Sequence, residues 1–337
     1  MARRKISFEG QMKLPFEEWE EDKEKPVVPI RRNVYAAAEI PQPAPVIQDP
    51  DSQLYYLSMG SGSSGNSCYI GTKRGGVIID AGVKADMIES MLSANGIDIK
   101  KVFGVLLTHD HSDHVRYVYT LVRNHKHMKV FCTNRVLNGI MRRHSISKRL
   151  KDYHQPIFKE IPFNLGELEI TAFEVPHDGS DNMGFSITFD NRHFVLATDL
   201  GAVKERARYY MSRANYLVIE ANYDLQMLKA GRYPEYLKAR IQTESGHLDN
   251  MQTAAFLKEI INPDLHNIFL CHLSQDNNTP QKALHAVRTA LEECGKRVGN
   301  ACNTLEDRKA DVQLMALPRY ESTPLFVFRR QPEGPRS

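Results

Sequence analysis

From about residue 54 onward, short apolar runs alternate with stretches of helical periodicity. Leu54–Met59 and Cys68–Gly71 read as strands around a Gly/Ser loop, and Val77–Asp80 as a short buried strand. Lys84–Asn95 reads as a helix with Ile88, Met91 and Leu92 on one face and Gly96 as its stop. Lys101–Thr108 is a buried strand. Ser112–Asn124 is helical, because Val115, Val118, Tyr119 and Val122 repeat at helical spacing, and Ser112 suits the N-cap. Lys129–Thr133 is a strand followed by a helix to about His144. Leu168–Val175 and Phe185–Ala197 are strands, the latter folded back at a hairpin turn, Asp190-Asn191. Tyr216–Ala221 and Asn267–Cys271 are further strands. Asp249–Ile261 is a helix stopped by Pro263, and Pro280–Cys294 is a helix capped by Thr279. Leu314–Leu317 and Pro324–Phe328 are short strands. No repeat of fixed period is visible.

Residues 1–53 follow another rule. They hold seven of the 17 prolines and the mixed-charge run EEWEEDKEK. Proline restrains the backbone and removes donors, so this arm is expected to be extended and weakly ordered. It reads as a solvated tail or as a docking arm for a protein partner, with Trp19 and Phe16 side by side. The division expected is an arm at 1–53, a catalytic domain at 54–330 and a tail at 331–337. Lys+Arg is 44 and Asp+Glu 41, a formal charge of +3. That is too little to announce a polyanion binder in bulk, so any such site must be local. No run reaches the ~18 apolar residues of a membrane span, and the N-terminus lacks a signal peptide's apolar region. Five scattered cysteines without a C-x-x-C pair read as reduced thiols. The expectation is a cytoplasmic protein without membrane association.

Two motifs compete for the chemistry. Gly60-Ser61-Gly62-Ser63-Ser64-Gly65 spells a dinucleotide fingerprint, with Asp80 twenty residues after Gly60. That motif requires a helix directly after the glycines to receive a pyrophosphate. Here a strand pattern follows, so a hairpin loop is expected, either a plain turn or one offering N–H groups to an anion. The stronger signal is Thr108-His109-Asp110-His111-Ser112-Asp113-His114, an H-x-H-x-D-H at a strand–helix junction. In extended chain His109 and His111 point the same way, and the turn into the helix brings Asp113 and His114 to an adjacent position. Imidazole and carboxylate suit zinc, manganese or iron. Single ligand-type residues end later apolar strands: His177, Asp199 and His272. Sites in open α/β sheets lie at such strand ends. His125 and His127 read as an exposed helix end, and His144, His154, His193, His266 and His285 lack a partner pattern.

These residues resemble the metallo-β-lactamase-fold hydrolases, and within them the YycJ/WalJ-like group of bacterial exonucleases. The subgroup likeness rests on residues 61–67 (SGSSGNS), 79–82 (IDAG), 227–234 (MLKAGRYP), 246–248 (GHL) and 272–278 (HLSQDNN). It covers about residues 54–330. The resemblance implies an α/β (α+β) four-layer αββα sandwich with a two-metal site at one edge. It implies that His109, His111 and His177 hold the first metal, that Asp113, His114 and His272 hold the second, and that Asp199 bridges them. Asp80 resembles an outer carboxylate that steadies the histidine loop. Residues 219–222 and Gly246-His247 also resemble the phosphodiesterases that process tRNA 3′ ends, where a Glu and a His assist the leaving group; Glu220 and His247 take those places. Asp249 stands where relatives usually carry Ser, and it can still cap the following helix.

The function this implies is a dinuclear-metal phosphodiesterase acting on DNA, with 5′→3′ exonuclease polarity. Catalysis is assigned to Asp113, His247 and Glu220, and substrate contacts to Arg232, Lys238, Arg240, Ser63 and Asn66. A second basic run, residues 141–154, is either a phosphate anchor or a solvated face. The competing readings are an RNA nuclease, a metallo-hydrolase of a small thioester, lactone or cyclic nucleotide, an iron oxidoreductase of the same fold, and a non-catalytic scaffold.

Overall fold

The computed structural model describes residues 52–301 and 304–329. The arm to residue 51, the tail from residue 330 and Cys302 lie outside them. A seven-stranded sheet contains β1 (Gln53–Gly60), β2 (Ser67–Thr72), β3 (Gly75–Ile79), β4 (Val102–Leu106), β5 (Lys129–Cys132) and β6 (His154–Pro156). An eight-stranded sheet contains β7 (Phe163–Leu165), β8 (Leu168–Glu174), β9 (Met183–Phe189), β10 (Arg192–Ala197), β11 (Tyr216–Glu220), β12 (Asn267–Cys271), β13 (Val298–Gly299) and β14 (Val312–Ala316). The last strand, β15 (Phe326–Arg329), returns to the first sheet beside β1. The strand orders are β15-β1-β2-β3-β4-β5-β6 and β13-β14-β12-β11-β10-β9-β8-β7.

Nine helices are described: α1 (Ala85–Ala94), α2 (Ser112–Val115), α3 (Val118–Asn124), α4 (Asn134–Arg143), α5 (Glu205–Met211), α6 (Leu225–Ala230), α7 (Glu235–Ile241), α8 (Asn250–Ile260) and α9 (Pro280–Glu293). Side chains alternate along the strands of the second sheet. Phe194, Leu196, Tyr216, Val218 and Phe269 face a core shared with the first sheet. Val195, Ala197, Leu217, Ile219 and Ile268 face a second core with Met211 of α5, Leu257 of α8 and Val287 of α9. The layers are therefore helix, sheet, sheet, helix, as the resemblance implies. Tyr56 fills the middle, with ring centroids 4.9 Å from both Phe194 and Phe269. No described helix is long and apolar enough to cross a membrane.

The sequence reading places most strands within two residues of their observed ends. The hairpin at Asp190-Asn191 forms, with φ of 48° and 58°, the left-handed pair that a tight two-residue turn demands. The helix expected at Ser112–Asn124 is broken: the Tyr117 amide donates to the Ala81 carbonyl at 2.9 Å, and α3 restarts at Val118. Ser112 is the first helical residue and not its cap; His111 holds the cap position without a side-chain bond. Helices α5, α6 and α7 escape the periodicity argument because each is six or seven residues long and buries only one or two side chains. The Gly60–Gly65 segment is a hairpin loop between antiparallel β1 and β2. Its amides at Ser61, Gly62, Gly65 and Asn66 donate to Arg319, the Asn66 side chain, Gly62 and Asp113, so they are spent inside the protein. Asp249 caps α8 in a reciprocal box with Gln252.

Phe269→Ala empties the point where the two sheets meet, beside Tyr56 and Phe326. The expected loss is about 3–5 kcal/mol in equilibrium urea unfolding, the usual range for a buried aromatic truncation. A loss below about 1 kcal/mol would show that the sheets do not share one close-packed core.

Candidate metal centre

β3 and β4 run parallel, as do β10, β11 and β12. β8 is two antiparallel pairings from β10 and so points the same way. Their C-terminal ends deliver Asp80, His109 and His111, His177, Asp199, Glu220 and His272. Three of these sit in left-handed backbone although none is glycine: Asp80 (φ 61°), Asp199 (φ 52°) and His272 (φ 53°). Such conformations cost about 1–3 kcal/mol each and persist where the surroundings over-determine them. Here each turns the chain at a strand end and aims a carboxylate or imidazole back over the sheet edge.

The side chains gather in overlapping groups whose nearest ligand atoms lie within 4.8 Å of one another. His109, His111 and His177 form one; Asp113, His114 and His272 another. Asp199 joins His109 and His114 in a third, and Glu220, His247 and His272 in a fourth. Its Oδ2 lies 3.1 Å from His114 Nε2, while its Oδ1 lies 3.1 Å from His272 Nδ1 and 3.8 Å from His177 Nε2. The structure thus brings together all seven residues expected as ligands, with Asp199 between the halves.

Most rings are held at one nitrogen and leave the other facing inward. His114 Nδ1 lies 2.7 Å from Asp80 Oδ2, and Asp80 is fixed in turn by the amide and hydroxyl of Thr108, each at 2.9 Å. His177 Nδ1 donates to the Gly246 carbonyl at 3.0 Å. His109 Nδ1 lies 3.0 Å from the Thr108 hydroxyl. His272 Nδ1 lies 2.8 Å from Glu220 Oε1. The opposite Nε2 atoms of His109 and His272 are buried without a hydrogen-bond partner. His177 Nε2 faces His111 Nδ1 across 3.2 Å. The buried, unpartnered Nε2 atoms of His109 and His272, set among imidazoles and carboxylates, fit a divalent cation bound by such groups.

The electrostatics divide the centre. Burial holds His109, His111 and His177 below the usual histidine range, with neighbouring imidazoles adding to it. These rings are neutral, the form that coordinates. Burial also opposes charge on His114, but Asp80, Asp199 and Asp113 outweigh it and hold the ring well above its usual value. His272 is likewise pushed up to about 10, where Asp199, Asp113 and Glu220 override its burial. Burial would raise Asp199, yet His272 and His114 keep it well below the ordinary carboxylate range. One half is a set of neutral imidazoles; in the other, ionised carboxylates hold the two imidazoles His114 and His272 toward their charged form.

Several expected roles change. Glu220 is fully buried and has no access to a substrate. Its Oε2 accepts from the amides of Leu200 (3.0 Å) and Leu248 (3.3 Å), and its Oε1 lies 2.8 Å from Nδ1 of both His247 and His272. It positions two imidazoles. Asn66 is buried too, its amide nitrogen 3.2 Å from Asp113 Oδ2 and 3.0 Å from His114 Nε2, so it braces the second half from inside. Lys238 is buried, with its ammonium donating to the Lys229 carbonyl at 2.8 Å and pairing with Glu235 at 3.0 Å. It closes the α6–α7 turn and does not reach the centre. Arg240 grips the Asp178 carboxylate with two nitrogens, and Asp178 Oδ1 lies 3.4 Å from His111 Nε2. Arg232 and Ser63 are exposed. His247 stands at the mouth, Nδ1 held by Glu220, its ring 5.0 Å from that of His177.

Sequence reasoning missed four supports. Asp178 follows His177 directly, which is its only local signal. Asn222 bonds the His272 carbonyl at 2.7 Å. Asp110, fully buried inside the H-x-H motif, accepts from the amide (2.8 Å) and hydroxyl (2.7 Å) of Ser180. His144, for which no partner was expected, has its Nε2 2.6 Å from the Asp110 carbonyl.

Comparison with known proteins agrees with this geometry. A family model described as "Beta-lactamase superfamily domain" matches residues 76–268. The chain is 33% identical over 248 residues to a Bacillus anthracis protein named exodeoxyribonuclease YycJ, covering 74% of this chain and 93% of the relative. It is 30% identical over 245 residues to exodeoxyribonuclease WalJ of Streptococcus pneumoniae, covering 72% and 90%. Two solved structures share the fold, each at a TM-score of 0.57. The metallo-β-lactamase-fold protein YhfI of Bacillus subtilis is 13% identical, with 82% of this chain and 100% of that one covered. The Zn(2+)-bound PqqB of Methylobacterium extorquens is 16% identical, with 80% and 99% covered. The chain therefore belongs to the beta-lactamase superfamily, as a metal-dependent hydrolase of the metallo-β-lactamase fold similar to the YycJ/WalJ group.

Proposed function

We propose that the protein is a phosphodiesterase that degrades DNA from a 5′ end and works with two divalent cations. His109, His111 and His177 would hold one and Asp113, His114 and His272 the other, with Asp199 within reach of both groups. Zinc and manganese both suit these donors, and iron is chemically acceptable. The observation that carries the reading is the convergence of these seven side chains with His247 at their mouth. The relatives named exodeoxyribonuclease support DNA as the substrate and exonucleolytic cleavage as the mode.

Two divalent ions held there would supply an activated water and polarisation of a phosphoryl oxygen. The chain's own residues do the rest. The carboxylate of Asp199 lies between the two halves and keeps both in register. Glu220, ionised and buried, orients His247 through Nδ1 and favours its charged form against burial. His247 then presents an Nε2 proton at the mouth, where it protonates the departing 3′ oxygen. The Arg240–Asp178 pair steadies the rim beside His111. Arg232 and Ser63 are exposed and are assigned to the substrate; Lys238 and Asn66 are not.

Four outcomes test this. A chelator abolishes cleavage of 5′-labelled DNA, and added Mn²⁺ or Zn²⁺ restores it. Asp199→Ala loses metal by mass spectrometry and cleaves neither DNA nor RNA above background. His247→Ala keeps its metal but loses about 10²–10⁴-fold in kcat, the range of a general acid. Glu220→Gln keeps its fold by circular dichroism and loses about 10–100-fold, as an outer positioning group does. Failure of the wild-type protein to cut either polymer with any of these metals would refute the nuclease assignment. Preference for RNA over DNA would replace its substrate.

A further inference from the structure

The expected phosphate anchors at residues 229–240 are largely committed elsewhere. Lys238 is buried against Lys229 and Glu235, and Arg240 is bound by Asp178. A different basic surface adjoins the centre. The stretch 134–151, which is α4 and the turn after it, contains Arg135, Arg142, Arg143, Lys148, Arg149 and Lys151 and no Asp or Glu. All six are exposed. Arg149 pairs with Asp152 at 3.8 Å and Arg143 lies 3.5 Å from Asp110. Among the described residues, no carboxylate pairs with Arg135, Arg142, Lys148 or Lys151.

This surface is locked to the histidine loops. A Cβ at Gly139 would overlap the Asp110 carboxylate and the Ser180 hydroxyl, so glycine lets α4 lie directly on the loop between His109 and His111. Arg142 reaches the Ser180 hydroxyl (3.5 Å), three residues after His177. Thr133, the α4 cap, donates to Asp181 at 2.8 Å. Unpaired cations spread along a rigid element repel one another, and a polyanion relieves that repulsion by displacing counterions.

We infer that residues 142–151 are the track for the substrate's phosphate backbone, carrying the polynucleotide away from the His109–His111–His177 side of the centre. This rests on the phosphodiesterase reading and specifies its substrate. The substrate is a polynucleotide several phosphates long, engaged chiefly on the α4 side; along α6–α7 the exposed Arg232 meets it, and Lys238 and Arg240 do not. Arg142 and Arg143 meet the phosphates nearest the cleaved bond, and Lys148, Arg149 and Lys151 the more distant ones.

The test uses the full chain with Lys148→Ala, Arg149→Ala and Lys151→Ala combined, and separately Arg142→Ala. Binding of fluorescein-labelled single-stranded DNA is followed by anisotropy across a salt series. Hydrolysis of bis(p-nitrophenyl) phosphate reports the centre alone. The triple variant is expected to bind about 10-fold more weakly and to flatten the slope of log affinity against log salt by about 2, since each lost phosphate contact removes ~0.7 for a single strand. Small-diester hydrolysis stays unchanged. Arg142→Ala weakens binding in the same direction. Unchanged affinity and unchanged salt slope in the triple variant would overturn the track. If wild type cleaves DNA and the variants bind it equally well, the track falls while the nuclease reading stands. If wild type binds DNA through these cations but cuts nothing, the nuclease reading falls and takes the substrate track with it, leaving a DNA-binding surface only.

Discussion

Gathering buried carboxylates and imidazoles at one sheet edge is the constraint around which the molecule is organised. Each such group loses hydration, and like charges at 3–4 Å repel unless opposite charge or a cation lies between them. The two sheets supply the force that holds them. Their shared aromatic core, with Tyr56 between Phe194 and Phe269, fixes the strand ends from which the groups project. The left-handed turns at Asp80, Asp199 and His272 are tolerable because those ends have nowhere to relax.

The centre is also held from behind. Thr108, Asp80, Glu220 and the Gly246 carbonyl each take up one nitrogen of a cluster imidazole, and Asn66 bonds Asp113 and His114 from inside the second half. Glu220 serves two rings at once, so it couples the mouth residue His247 to His272 inside. A carboxylate that looks catalytic in sequence is by position an orienting group. What decides this is burial: a fully enclosed side chain cannot meet a substrate, however suitable its chemistry.

Charge at the rim follows a similar logic. Basic runs on α4 and on α6–α7 look alike in sequence, and their difference emerges only when partners are assigned. Folding brings Asp178 to Arg240, and brings Glu235 and the Lys229 carbonyl to Lys238. It brings little to the basic residues of the α4 run, whose acidic partners among the described residues are Asp110 and Asp152. A basic residue is available to a polyanion only where the fold has left its charge unspent.

Much of this protein was legible in the chain itself. Alternation, apolar runs and turn residues located most strands, the long helices and the Asp190-Asn191 hairpin, because those signals are local. The H-x-H-x-D-H motif and three lone ligand-type residues at strand ends marked the centre, since strand direction dictates which ends converge. Tertiary structure decided everything that depends on a partner far along the chain. It split the helix at Tyr117 through a bond to Ala81, buried Glu220 and Asn66 behind the cluster, and gave His144 a place against Asp110. Hydrogen bonding and burial between distant segments have no period and no spacing, so only the folded chain could show them.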